Sequence, residues 1–267
     1  MSDWPQTLVL AGAGKMGGAM LKGWLAGGLP ASGVTILEPA PSPELLALGV
    51  RVNPAEVAPP QALVLAIKPQ MLESAAPRLA AIAGPDTLVL SVIAGKTIAN
   101  LEARLPQARC IARVMPNTPA AVGRGAAAGA ASAAVSPRQR AWTERLMRTV
   151  GMFDWLADES LIDAVTALSG SGPAYAFALV EAMARAGEAL GLPAELAMRL
   201  ARATVEGAGE LMHREPETSA AQLHINVTSP GGTTAAALGV LQAADGLEAL
   251  MTRALAAAHR RAGELAG

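Results

Sequence analysis

The residues best suited by type and spacing to do chemistry lie late in the chain, in Asn226-Val227-Thr228-Ser229-Pro230-Gly231-Gly232-Thr233-Thr234. Pro230 continues neither a strand ladder nor a helix, and Gly231-Gly232 lets the backbone turn sharply. The run Ala235-Ala236-Ala237-Leu238 behind it is strong helix-forming sequence. A hydroxyl-rich, glycine-rich turn that opens a helix presents free N–H groups and a partial positive charge, which suits a carboxylate or a phosphate. Ser229, Thr233 and Thr234 add hydroxyls that donate or accept. The plain alternative is an ordinary Ser or Thr helix cap, and both readings stand on this stretch alone.

A second constellation sits at the other end. Leu8-Val9-Leu10-Ala11 is a short apolar run, read as a buried strand. It leads into Gly12-Ala13-Gly14-Lys15-Met16-Gly17-Gly18 and a periodic apolar segment through Met20, Leu21, Trp24 and Leu25. In that strand–turn–helix setting, G-x-G-x-x-G lets backbone N–H groups approach a pyrophosphate at the helix start. A glycine-rich turn without a ligand has the same spelling. Val34-Thr35-Ile36-Leu37 reads as the second strand, with Glu38 at its end. An acid there accepts from the adenosine ribose hydroxyls and repels a 2′-phosphate, so Glu38 tilts the site toward NAD over NADP. The bland alternative is a solvated loop acid beside Pro39.

The elements that must position these groups can be read in order. Residues 50–53 form a short strand. Residues 62–67 form a buried one, ending at Lys68-Pro69-Gln70; residues 87–92 form another, ending at Ile93-Ala94-Gly95-Lys96. Cys110-Ile111-Ala112-Arg113-Val114 is the next, leading into Met115-Pro116-Asn117-Thr118-Pro119. Such runs alternating with helical segments predict a parallel sheet covered on both faces. Ligands then sit outside the carboxyl ends of the strands, so the glycine loop, Glu38, Lys68-Pro69, Ala94-Gly95 and Met115-Pro116-Asn117 face one crevice.

Residues 123–134 are almost all Ala and Gly and read as a small-residue strand or a flexible loop. A helix over 137–150 and a last strand over 152–156 follow. Beyond Asp158 the period turns helical, over 159–167, 175–190, 193–212 and 246–265, with Gly191-Leu192-Pro193 as a stop and restart. Leu168-Ser169-Gly170-Ser171-Gly172-Pro173-Ala174-Tyr175 interrupts the first helical region, as a kink or a close approach of a ligand or another chain. Two domains are expected, 1–156 for a dinucleotide and 157–267 helical.

Composition excludes several classes. A net charge of −1 over 267 residues offers no nucleic-acid surface, and no basic block grips a membrane. One cysteine, Cys110, allows no internal disulfide and no C-x-x-C site. The opening Met1-Ser2-Asp3-Trp4-Pro5 lacks the features of a signal peptide, and no apolar run reaches about 18 residues. A soluble cytoplasmic protein is expected. With hydrophobic content at 52% but aromatics at 3%, the core must be built from small side chains that allow close packing.

Four blocks in this order carry a resemblance to the pyrroline-5-carboxylate reductase family over essentially the whole chain. They are Ala66-Ile67-Lys68-Pro69-Gln70, Arg113-Val114-Met115-Pro116-Asn117-Thr118-Pro119, residues 168–175 and residues 227–234. The resemblance implies an α/β fold, with an N-terminal Rossmann-type doubly wound sheet and a C-terminal all-α dimerisation domain. It implies reduction of the cyclic imine 1-pyrroline-5-carboxylate to L-proline with NADH or NADPH, the last step of proline biosynthesis. Homodimers, often assembled further into decamers, are implied as well. By the same resemblance, cofactor contacts fall on Gly12, Gly14, Lys15, Met16, Gly17, Glu38, Asn53, Ala66, Ile67, Lys68, Pro69, Ala94, Gly95, Met115, Pro116 and Asn117. Substrate contacts fall on Ser171, Ser229, Gly231, Gly232, Thr233 and Thr234. The N–H groups of Gly231, Gly232 and Thr233 would hold the carboxylate, and the Thr234 hydroxyl would bond the ring nitrogen. Many members carry a small or basic region where this chain has Glu38-Pro39-Ala40, which moves the expected cofactor toward NADH.

The chemistry is consistent with what the chain lacks. Hydride passes from nicotinamide to the imine carbon, and the cofactor carries the hard step. A protonated imine needs no nucleophile, metal or strong base. His213, His224 and His259 read as surface or helix residues. A β-hydroxyacid-dehydrogenase-like oxidoreductase is the nearest rival, but it relies on a lysine from its helical domain, and Lys15, Lys22, Lys68 and Lys96 all lie in the first half. A non-catalytic dinucleotide-sensing protein would have no use for the 229–234 turn.

Overall fold

The computed structural model describes residues 4–265. In chain order come β1 (Leu8–Ala11), α1 (Lys15–Ala26), β2 (Val34–Leu37), α2 (Pro43–Leu46), β3 (Arg51–Val52), β4 (Ala62–Leu65), α3 (Leu72–Ala80), β5 (Leu88–Ser91), α4 (Ile98–Arg104) and β6 (Cys110–Met115). Then follow β7 (Gly125–Ala131), α5 (Pro137–Arg148), β8 (Gly151–Trp155), α6 (Ile162–Val165), α7 (Gly172–Ala189), α8 (Ala194–Arg214), α9 (Ala220–Asn226), α10 (Thr233–Leu241) and α11 (Leu247–Leu265). The strands form one sheet in the order β3-β2-β1-β4-β5-β6-β7-β8.

β1, β2, β4 and β5 are buried at every residue, as strands covered on both faces must be. Their period of two divides the core. Leu8, Leu10, Ile36 and Val64 pack with Met20, Leu21 and Trp24 of α1 on one face. Val9, Leu37, Leu63 and Leu65 pack with Leu72 and Leu79 of α3 and Leu101 of α4 on the other. The Trp24 indole N–H donates to the Leu146 carbonyl at 2.8 Å, tying α1 to α5.

The expected parallel sheet needs correcting at one edge. β7 runs antiparallel to β6, and β8 runs parallel to β7. The link over residues 116–124 is shorter than the dozen or so residues that a parallel crossover requires, so the chain turns back. The Ala/Gly stretch is thus a strand, and it reverses the sheet.

Residues 157–171 also differ from a plain helix. A 3₁₀ turn (Glu159–Leu161) leads into α6, and Thr166–Gly170 is a single π-helical turn. The Ser171 N–H donates to the Thr166 carbonyl at 2.9 Å. The interruption is therefore a widened turn, a feature that recurs at functional sites. Its anchor is Asn117, whose Nδ2 donates to the Ser169 carbonyl at 3.0 Å while Oδ1 accepts from the Ala126 N–H at 2.8 Å. Nearby, buried Arg113 pairs with Glu159 at 3.0 Å and reaches Asp163 at 3.8 Å. These ties carry the first compact unit past residue 156 to Ser171, and it also takes the chain from Ala258 onward. The period changes where the strands end; the units divide at Ser171 and Gly172.

The second unit, Gly172–Ala257, is helical. Its buried residues are Ala184, Ala197 and Ala201, whereas Phe177 is 65% exposed and Leu190 87%. A unit with none of its large apolar side chains buried leaves broad apolar faces for a partner to cover. Among the described residues, no helix is long and apolar enough to cross a membrane.

Candidate active site

The strand ends form a row. The Gly12 N–H donates to the Leu37 carbonyl at 2.9 Å, the Ala66 N–H to Ala11 at 2.8 Å and the Val92 N–H to Leu65 at 3.0 Å. Gly12 has φ +89°, and a Cβ there would stand 2.6 Å from the Ala66 carbonyl oxygen. A Cβ on Gly17 would collide with the Gly12 carbonyl and lie 3.1 Å from the Ala66 Cβ. The protein's own packing thus requires these two glycines. Gly14 is different: a Cβ there would meet nothing within 4 Å. It caps α1 without any side-chain hydrogen bond, so open space lies over a helix start with unanswered N–H groups. That is the space a pyrophosphate requires, and the residues present fit a dinucleotide.

Glu38 is held from both sides. Its Oε2 accepts from the Ala13 N–H at 2.7 Å and its Oε1 from the Ala40 N–H at 3.1 Å. Each oxygen keeps a lone pair for a ribose hydroxyl. Asn53, at φ +47°, grips the Glu38 backbone: its Oδ1 accepts from the Glu38 N–H at 3.0 Å, and its Nδ2 donates to the Glu38 carbonyl at 2.7 Å. Asn53 therefore positions Glu38, with its amide oxygen and one amide hydrogen engaged within the protein. Asn117 likewise holds the π turn with its amide, and Met115, Pro116 and Asn117 are all buried.

Beside Glu38 lies a groove of about 430 Å³, within the usual range for small-molecule sites. Ala11 and Leu37 line it at the sheet, with Glu38, Pro39 and Asn53 on one side and Ile67, Met71, Ser74, Ala75, Arg78 and Leu79 on the other. The α3 residues escaped the sequence reading, although Met71, Ala75 and Arg78 recur at helical spacing. Lys15 lines a second groove, of about 540 Å³, with Gly18, Lys22 and Ser42. Lys68 stands at the start of a 3₁₀ turn (Pro69–Met71) where β4 ends. Gly95, at φ +70°, faces the last turn of α11, and a Cβ there would stand 2.7 Å from the Leu265 carbonyl oxygen.

The 229–234 turn lies in the second unit. Gly231 takes φ +71°, and the Gly232 N–H donates to the Ser229 carbonyl at 3.0 Å. Gly232, expected as a donor to a substrate carboxylate, is engaged inside the turn. Thr233 and Thr234 open α10 with N–H groups that have no intrahelical partner. The N-cap is Gly232, with no side-chain hydrogen bond, so no hydroxyl plays the ordinary capping role. Among the described residues, the Ser229, Thr233 and Thr234 hydroxyls have no hydrogen-bond partner. Ser171 closes the π turn in the first unit.

Comparison with known proteins accords with this arrangement. Residues 159–265 match the family described as pyrroline-5-carboxylate reductase dimerisation, and residues 7–95 the family described as NADP oxidoreductase, coenzyme F420-dependent. A pyrroline-5-carboxylate reductase of Pseudomonas aeruginosa is 42% identical over 265 residues, covering 97% of this chain and 96% of that one. The structure of a pyrroline-5-carboxylate reductase from Coxiella burnetii aligns with a TM-score of 0.90 at 35% identity, covering 98% of this chain and 99% of that one. A Plasmodium falciparum pyrroline carboxylate reductase with NADP bound aligns with a TM-score of 0.79 at 25% identity, covering 98% of each. From its glycine loop to its last helix, the chain belongs to the pyrroline-5-carboxylate reductase family, a family of NAD(P)H-dependent oxidoreductases.

Proposed function

We propose that the chain reduces 1-pyrroline-5-carboxylate to L-proline with NADH as the preferred donor, working as a homodimer in the cytoplasm. The observation that carries this reading is the start of α10, with first-turn N–H groups unanswered and the Ser229, Thr233 and Thr234 hydroxyls unpartnered. The first-turn N–H groups hold the substrate carboxylate, and the Thr234 hydroxyl bonds the ring nitrogen. The α1 start holds the pyrophosphate, and Glu38 accepts from the ribose hydroxyls. Bound NADH supplies the hydride that the imine carbon receives. The purified protein is expected to oxidise NADH only when 1-pyrroline-5-carboxylate is added, with proline as product. NADH binding without turnover would reduce the protein to a dinucleotide sensor, and turnover of a hydroxy acid instead would favour the rival dehydrogenase.

The cofactor preference follows from charge. A 2′-phosphate brought to about 4 Å from the Glu38 carboxylate costs roughly 1–4 kcal/mol between the limits of water and a protein surface. The kcat/KM ratio is expected to favour NADH by about fivefold or more. Glu38→Gln, which keeps an acceptor but removes the charge, should bring the ratio toward one. A wild-type preference for NADPH, or an unmoved ratio in Glu38→Gln, would show that the carboxylate does not face the 2′ position.

The assembly follows from the second unit, where Phe177, Leu190, Met198, Leu211 and Val240 stand exposed in the single chain. Covering such faces calls for an obligate interface, which is large and apolar. Sedimentation at micromolar concentration should find dimers or their multiples, decamers included. A folded, active monomer would refute the homodimer.

A further inference from the structure

The groove beside Glu38 has a wall of mixed character. Met71, at the N-cap of α3, lines it with Ala75, Arg78 and Leu79 of that helix, at spacings that place the four along one stripe. Three of the four are apolar, as a base-binding wall should be; the fourth is an arginine. Among the described residues no aromatic side chain lines the groove, so none of them offers a ring to stack on a base. The groove lining and α3 each contribute one acid, and both have partners. Glu38 accepts from Ala13 and Ala40, and Glu73 pairs with Arg104 of α4. Among the described residues Arg78 has no ion-pair partner. A cation in the last turn of α3 also answers the negative end of the helix. That accounts for a basic residue there, but not for its place on the groove side.

We propose that the groove takes the adenosine and that Arg78 closes it, its guanidinium lying flat against the adenine face turned to the Met71–Ala75 wall and setting the affinity for that half of the cofactor. A guanidinium is planar, weakly hydrated and always charged, which suits it to a ring face where no aromatic residue is available. Adenine is common to NADH and NADPH, so the contact strengthens both alike, whereas Glu38 discriminates between them. The proposal rests on the reading of this groove as the adenosine site.

Arg78→Ala and Arg78→Lys test it through KM and kcat with each cofactor, and through inhibition by 5′-AMP and by nicotinamide mononucleotide. Arg78→Ala is expected to raise KM for NADH and NADPH by the same factor, about 3- to 30-fold, the range of a partly desolvated cation–π contact. Inhibition by 5′-AMP should weaken by that factor, while kcat and inhibition by nicotinamide mononucleotide stay put. Arg78→Lys, a cation without the plane, should fall between. Unchanged constants in Arg78→Ala, with 5′-AMP still inhibiting the wild type, would overturn the proposal and leave Arg78 as a helix-end cation. A loss confined to NADPH would overturn it in favour of a 2′-phosphate contact. If 5′-AMP fails to compete with NADH in the wild type, the reading of the groove falls first, and the proposal with it.

Discussion

Gly14→Ala is expected to leave stability within about 1 kcal/mol of wild type while raising KM for NADH roughly 10- to 150-fold. Gly14 has φ −66°, and a Cβ there would meet nothing within 4 Å, so alanine finds neither strain nor a neighbour in the ligand-free protein. Alanine is a poorer N-cap than glycine by on the order of 1 kcal/mol. The smaller entropy of its unfolded chain offsets about 0.4–1 kcal/mol of that. The penalty then appears only when a phosphate must approach the α1 N–H groups, because the methyl holds it off. Losing one charge-assisted hydrogen bond costs about 1.5–3 kcal/mol, which sets the range of the expected rise. Gly12→Ala should behave in the opposite way. Its φ of +89° strains alanine by about 1–2 kcal/mol. The new Cβ would stand 2.6 Å from a backbone oxygen that cannot swing aside, adding about 1–3 kcal/mol of overpacking. Together these are a large part of the 5–15 kcal/mol that holds a typical domain, so the melting temperature itself should fall. Thermal melts and KM on both variants separate the cases. A Gly14→Ala enzyme with unaltered KM would mean that the open space above α1 is not where the pyrophosphate lies.

That contrast also shows what was legible in the sequence. G-x-G-x-x-G spells three glycines alike, yet Gly12 and Gly17 answer to the Ala66 strand end while Gly14 answers to no protein atom. Strands such as Leu88–Ser91 were readable because a fully buried strand needs an unbroken apolar run. The direction of β7 was not readable: Gly125–Ala131 has no side-chain period, and only the short link from Met115 decides it. Long-range polar pairings are equally silent. Asn53 and Asn117 are cofactor contacts by resemblance, and the residues did not announce that their amides also bond Glu38, 15 residues away, and Ser169, 52 residues away. The π turn shows a similar limit. Gly170, Gly172 and Pro173 announced an interruption, but the widening depends on where β6 and β7 let Asn117 grip Ser169. The turn before α10 left two readings open, a helix cap or a ligand site. Gly232 takes the cap position, leaving the hydroxyls available.

Thr234→Val is the sharpest test of that availability. Thr234 is the second residue of α10 and its hydroxyl is not a cap, so its loss removes no hydrogen bond from the protein. Valine is nearly isosteric with threonine and close to it in helix propensity. The melting temperature is therefore expected to stay within the shift of about 0.5 kcal/mol usual for a surface substitution. Cofactor affinity, which the proposal assigns to the α1 start and Glu38, should hardly move. The reaction should respond strongly. As hydride reaches the carbon of the protonated imine, the C=N π pair becomes a lone pair on the neighbouring ring nitrogen, and a hydroxyl donating there stabilises that change more than it stabilises the bound substrate; the proton that completes the product ammonium comes from solvent. Losing such a bond lowers kcat as well as kcat/KM, whereas losing uniform binding would raise KM alone. A hydrogen bond to a charged group contributes about 1.5–3 kcal/mol, equivalent to a roughly 10- to 150-fold loss of rate. Steady-state kinetics and a melt on one preparation read both quantities. A stable Thr234→Val enzyme with wild-type kcat and kcat/KM would remove the hydroxyl from the mechanism. A raised KM with unchanged kcat would leave it holding the substrate without assisting the transfer.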